Sequence, residues 1–176
     1  MTQIEEVNVQ DIISNSLSRS ISYAQYREEI KDFVANKSTS GNEKTGALID
    51  YTVLNDRRMR RWDKTVKVSD EVKAKIVFFK RSVTWLVVTE SWCGDAAHVI
   101  PVINKIAELF KDIDLRIVYR DENEALMNEF LTNGSKSIPK LIMIDNHTNE
   151  VLDTFGPRPN AATELVLDYK AKHGVL

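Results

Sequence analysis

Apolar positions recur every three to four residues up to about residue 78, then give way to short continuous apolar runs alternating with amphipathic ones. The first texture is that of helices and the second that of alternating strands and helices. In the first part, Ser22-Tyr23-Ala24-Gln25 has the spacing of a capping box, in which the serine and glutamine side chains satisfy the free amides of a helix start. Tyr26, Ile30, Phe33 and Val34 follow on one face through about Asn36. Residues 37–46, rich in serine, threonine and glycine, read as a loop free to move. A second helix over about Ala47 to Trp62 sets Leu48, Tyr51, Asn55, Met59 and Trp62 along one stripe. A third starts near Ser69 as N-cap and runs through Phe78.

Beyond residue 80 the period changes. Val83 to Thr89 is apolar and β-branched, as expected of a strand buried on both faces. Ala96 to Phe110 is helical, with Val99, Ile103, Ile106 and Leu109 or Phe110 turned inward. Leu115 to Tyr119 is a strand, and Glu122 to Asn133 a helix closed by Gly134. Leu141 to Ile144 and Val151 to Phe155 form a hairpin around Asn146-His147-Thr148-Asn149, and a last helix spans about Ala161 to Lys172. The order β-α-β-α-β-β-α predicts an α/β layered domain with right-handed crossovers, parallel strands and a terminal antiparallel hairpin. Residues 1–79 then form a helical N-terminal extension, and 80–176 the α/β domain. The extension holds enough apolar residues to need a surface to bury them, either this core or a partner.

Composition narrows the function classes. A net charge of -2 gives no bulk attraction for nucleic acid or anionic membranes. The basic run Arg57-Arg58-Met59-Arg60-Arg61, flanked by Asp56 and Asp63, spreads around a helix as a solvated face. No apolar stretch is long enough to span a membrane. Residues 1–20 lack the apolar run of an export signal, and the single cysteine excludes an internal disulfide. Both point to the cytoplasm. His98, His147 and His173 are scattered, and Cys93 has no second ligand at metal-binding spacing. Neither a metal nor a cofactor is expected.

The chemistry concentrates in Trp92-Cys93-Gly94-Asp95-Ala96. A strand running into this turn and then a helix puts Cys93 at a helix N-terminus, where free amides favour the thiolate. Gly94 permits a tight turn and leaves room for a substrate. A lone cysteine is also often a small buried hydrophobe, and that reading stays open. Asp95 opposes the thiolate by like charge, suits the first turn of a helix, and stands near enough to accept a proton.

In these residues the sequence resembles the thioredoxin superfamily over about residues 80–172. Trp92-Cys93-Gly94 matches the family's Trp-Cys-Gly, and Pro101 the proline of its active-site helix. Ile138-Pro139 looks like the cis-proline that faces the cysteine, and Gly156 like the glycine that completes the peptide groove. More narrowly, Trp-Cys-Gly-Asp, Tyr119-Arg120-Asp121 and Phe155-Gly156-Pro157-Arg158-Pro159 look like a branch of little-characterised bacterial thioredoxin-like proteins. The resemblance implies a thioredoxin-like fold, a mixed central sheet with helices on both faces. It also implies a substrate strand held by Ile138, Pro139 and Gly156 and flanked by Trp92.

The departures from the pattern define the expected function. The resolving cysteine of dithiol thioredoxins is replaced by Ala96, the intervening proline by Asp95, and the buried acid six positions before the cysteine by Val87. Dithiol reduction therefore does not carry over. Thiol-disulfide exchange through Cys93 alone is expected, with a disulfide- or thiol-bearing protein or a glutathione-like thiol as partner and an external thiol to resolve the mixed disulfide. Arg158 beside the groove is placed to hold an acidic side chain or a glutathione-type carboxylate, unless it is a plain surface arginine. The alternatives are a redox-silent peptide-binding module of the same fold, or a peroxide sensor acting through a sulfenic acid.

Overall fold

A computed structural model of the chain describes residues 8–77 and 79–174. Helices α1 (Val9–Ser18), α2 (Tyr23–Ala35), α3 (Gly46–Thr65) and α4 (Asp70–Ile76) precede strand β1 (Val83–Thr89). Then come α5 (Gly94–Ala107), β2 (Ile113–Tyr119), a 3-10 turn (Arg120–Glu122), α6 (Glu124–Glu129), β3 (Lys140–Asp145), β4 (Val151–Phe155) and α7 (Asn160–His173). The predicted capping box opens α2, with the Gln25 N–H donating to Ser22 Oγ at 3.2 Å and the Ser22 N–H to Gln25 Oε1 at 2.9 Å. Ser69 caps α4 as expected; the far end proposed for that helix, Phe78, lies outside the described residues.

The four strands form one mixed sheet in the order β2-β1-β3-β4. β2 runs parallel to β1 through a crossover that contains α5. β3 runs antiparallel to β1, where the alternating βα order predicted a parallel neighbour within the mixed sheet. Alternating βα units alone do not fix the direction of the third strand. Here the 3-10 turn, the six-residue α6 and a turn around Thr132–Ser135 link β2 to β3. The helix expected over 122–133 is accordingly cut short, with Asn133 and Gly134 at positive φ making the turn.

β1 is buried along its length except for a half-buried Trp85, so helical layers cover both faces of the sheet. One apolar cluster unites the N-terminal helices with the α/β core: Ile13, Tyr26, Ile30 and Met59 pack with Leu86, Val87, Ile100 and Ile117. The segment between α1 and α2 also adds a bridge to the free side of β2, with paired Ile21–Ile117 amide bonds of 2.9 and 2.8 Å. That contact covers part of an edge that would otherwise present unpaired backbone.

Two helix faces differ from the expected stripes. In α3 the buried face is Thr52, Asn55, Asp56 and Met59, whereas Tyr51 is exposed. Polar side chains lie inside because each finds a partner there. Asp56 receives a 3.1 Å bond from the buried Arg27, which also bonds Asp63 at 3.1 Å. In α5 the inward face is Ala96, Ala97, Ile100, Pro101, Ile103 and Ala107, and Leu109 lies past the helix end, exposed.

Candidate functional site

β1 delivers the chain into Glu90-Ser91-Trp92, and Cys93 follows as the N-cap of α5. Its side chain makes no capping bond. The nearby backbone N–H groups of Ala96 and Asp95 favour the thiolate. The thiol is nonetheless buried, 7% exposed, and donates a 3.3 Å hydrogen bond to the carbonyl of Ile138. Burial dominates and pushes its pKa up to about 11, with the Asp95 carboxylate adding to the rise and Arg120 opposing it.

Ile138–Pro139 is a cis peptide and so is Gly156–Pro157. The bond from Cys93 brings Ile138 to the thiol, and Gly156 completes this wall. With φ of +127°, it lies so close to Pro139 that an added Cβ would stand 2.1 Å from the Pro139 oxygen. Cys93, Ile138, Pro139 and Gly156 thus meet from three separate stretches of chain. Trp92, half-buried, carries the Arg120 guanidinium over its ring at 5.1 Å.

Asp95 and Arg158 are brought together. The arginine donates to Asp95 Oδ2 through Nη2 at 2.5 Å and Nε at 3.1 Å. The carboxylate that Arg158 holds is the chain's own. Gly94 leaves its outer side to another arginine: the place of a Cβ would be 3.5 Å from Arg58 Nη1. Arg58 therefore does not belong to a uniformly solvated basic face.

Behind the turn lies a polar network that sequence reasoning missed. The loop between α2 and α3 is docked, with Thr39 and Ser40 buried. Ser40 exchanges bonds with the turn, its N–H donating to Ser91 Oγ at 2.9 Å and its Oγ accepting from the Ser91 N–H at 2.7 Å. The hydroxyls of Thr39, Thr52 and Ser91 lie within 2.6–3.0 Å of one another, and Asn55 Nδ2 donates to the Ser91 carbonyl at 3.0 Å. Glu90 is fully buried. It takes a short bond from the Ser40 hydroxyl and a 2.9 Å bond from the Asp121 N–H. Burial raises its pKa, the nearby Asp121 charge adding to the rise and the two hydrogen bonds and Arg120 opposing it. The site thus has a buried acid, three positions before the cysteine rather than six. The one available signal was an acid set directly at the end of an apolar strand.

The family described as Thioredoxin matches residues 41–172, about three quarters of the chain. The chain belongs to this thioredoxin family. The match begins inside the α2–α3 loop, just after the docked Thr39 and Ser40. Among solved structures, a Pseudomonas aeruginosa protein of unknown function, PA1234, is 17% identical, with a TM-score of 0.58 over 88% of this chain and 87% of that one. An HIV epitope-scaffold is 18% identical, with a TM-score of 0.56 over 88% and 90%. Both likenesses concern the fold. No curated protein matches the chain. No described helix is long and apolar enough to cross a membrane.

Proposed function

We propose that the protein carries out thiol-disulfide exchange through Cys93 alone. The observation that carries this reading is the thiol at the start of α5, hydrogen-bonded to the Ile138 carbonyl beside Pro139. An extended substrate segment pairing with that backbone would present its disulfide to the sulfur. The Cys93 thiolate attacks one sulfur of the substrate disulfide, forming a Cys93–substrate disulfide and releasing the other half as a thiolate. An external thiol then attacks the mixed disulfide, because Ala96 offers no second sulfur. Cys93 is restored as a thiol and the substrate leaves bound to the incoming sulfur. Asp95 tunes the thiol through its charge while Arg158 restrains it; Trp92, Gly94, Ile138, Pro139 and Gly156 shape the groove. The partner is a disulfide-bearing protein or small thiol, and the cytoplasm is the proposed location.

The burial of Cys93 favours a second reading, a redox-silent binding module of the same fold. Incubation with oxidised glutathione separates the two. One glutathione should add at Cys93, reversibly with dithiothreitol, and the rate should rise about tenfold per pH unit from neutrality toward pH 11 as the thiolate fraction grows. A native protein that stays unmodified, yet reacts once unfolded, would leave only the binding module.

A further inference from the structure

We infer that Arg58 is the substrate-charge receptor of the site and selects disulfides bearing a carboxylate beside the reacting sulfur. This inference rests on the thiol-exchange reading. Three guanidiniums surround the Cys93 turn. Arg158 is occupied by Asp95, and Arg120 by Asp121 through a 2.9 Å bond. Among the described residues, Arg58 pairs with no carboxylate; it donates only to Asn55 Oδ1, at 3.2 Å. Of these three guanidiniums, Arg58 is the one left without a carboxylate.

Its position is built. Asn55 is fully buried and uses both ends of its amide, Nδ2 on the Ser91 carbonyl and Oδ1 on the Arg58 guanidinium. The arginine is thereby tied to the same turn that carries the thiol. The absence of a side chain at Gly94 lets the guanidinium lie against the backbone one residue from Cys93. Of the nearby groups on α5, Asp95 is already engaged by Arg158, and His98 brings no opposing charge. His98 on α5 is held toward its neutral form by partial burial and by Arg58 itself, while accepting a 2.8 Å bond from Trp62 Nε1. Arg58 keeps donors beyond the one spent on Asn55, and a carboxylate is the group that a guanidinium binds through several of them. Both an acidic small thiol and a cysteine with an acidic neighbour in a protein supply that chemistry.

The test uses the full chain and three small disulfides: anionic oxidised glutathione, neutral hydroxyethyl disulfide and cationic cystamine. Mixed-disulfide formation at Cys93 is timed by intact mass at low and high salt. Each rate is compared with the wild type's own rate for the same reagent, which removes differences in leaving group. Arg58→Gln should slow the glutathione reaction about tenfold and leave the neutral one within about twofold, while the cystamine reaction speeds up. Arg58→Lys should recover part of the loss, and high salt should shrink the difference in the wild type. Arg57→Gln makes the same charge change on an exposed position and should not alter the ratio of anionic to cationic rates. That ratio does not depend on how much of each variant folds. A ratio unchanged by Arg58→Gln, with Cys93 still labelled, overturns the inference and leaves thiol exchange standing. If none of the three reagents labels native Cys93, both readings fall. Comparing glutathione with a disulfide-linked peptide, with and without an aspartate next to its cysteine, then distinguishes the two sources of carboxylate.

Discussion

At the scale of single residues, Asp95 and Gly156 constrain the site in different ways. Asp95 raises the Cys93 thiol by like charge and is itself paired with Arg158. Asp95→Asn removes the anion and frees the guanidinium, and both changes favour the thiolate. The pH at which iodoacetamide alkylation of Cys93 is half-maximal should therefore fall below about 11. A rise would mean that the Asp95–Arg158 pair holds the amides of α5 in place for the sulfur. Gly156 is constrained differently, by a backbone approach no side chain can share. Gly156→Ala should force the Pro139 segment away and cost about 2 kcal/mol or more in denaturant unfolding, while shifting the environment of Cys93. Position 156 was legible in the sequence through the family pattern. The Asp95–Arg158 pair was not, because 63 residues separate its members.

At the scale of elements, the α2–α3 loop and the end of β1 act as one unit. Glu90 is held in the fold with a raised pKa, so the folded state favours its neutral form. Stability from this group is present at acid pH and is lost as pH rises from the ordinary glutamate range, about 4.3, through the raised value. Glu90→Gln keeps the shape and removes the charge. Its urea midpoint should decline less than the wild type's between pH 5 and 9, and parallel declines would show that Glu90 ionises without penalty. The first turn of α5 offers a second test. Ala96→Cys should allow a disulfide with Cys93 and raise the reduction of protein disulfides with a dithiol-recycling reductase; equal activity would place the resolving thiol elsewhere. The strand and helix identities around this site could be read from period and capping alone. The docked loop could not, because Ser38-Thr39-Ser40-Gly41 has the composition of a linker and its hydroxyls find partners only in three dimensions.

At the scale of the whole molecule, the N-terminal helices share one core with the sheet. Tyr26 and Ile30 are buried against the same cluster as Val87 and Ile117, and Tyr119 bonds Glu29 at 2.7 Å. Heat or urea should therefore unfold the chain in a single cooperative transition. Ile30→Ala should lower its stability by about 2–5 kcal/mol although it lies far outside the turn in sequence. Two separate transitions, with only the first moved by Ile30→Ala, would mean that residues 8–77 fold as an independent body.

The sequence by itself determined the element types, the hairpin, the helix-start cysteine and the missing resolving thiol. These depend on local period, capping chemistry and residue identity, which act over a few positions. Only the tertiary structure decided the antiparallel direction of β3, the docking of the α2–α3 loop behind the turn, and the burial that raises both Glu90 and Cys93. It also decided which arginine at the rim is left without an acid. Burial and charge pairing depend on which distant segments meet, and strand direction depends on how β3 returns to β1. No window of local sequence contains that information.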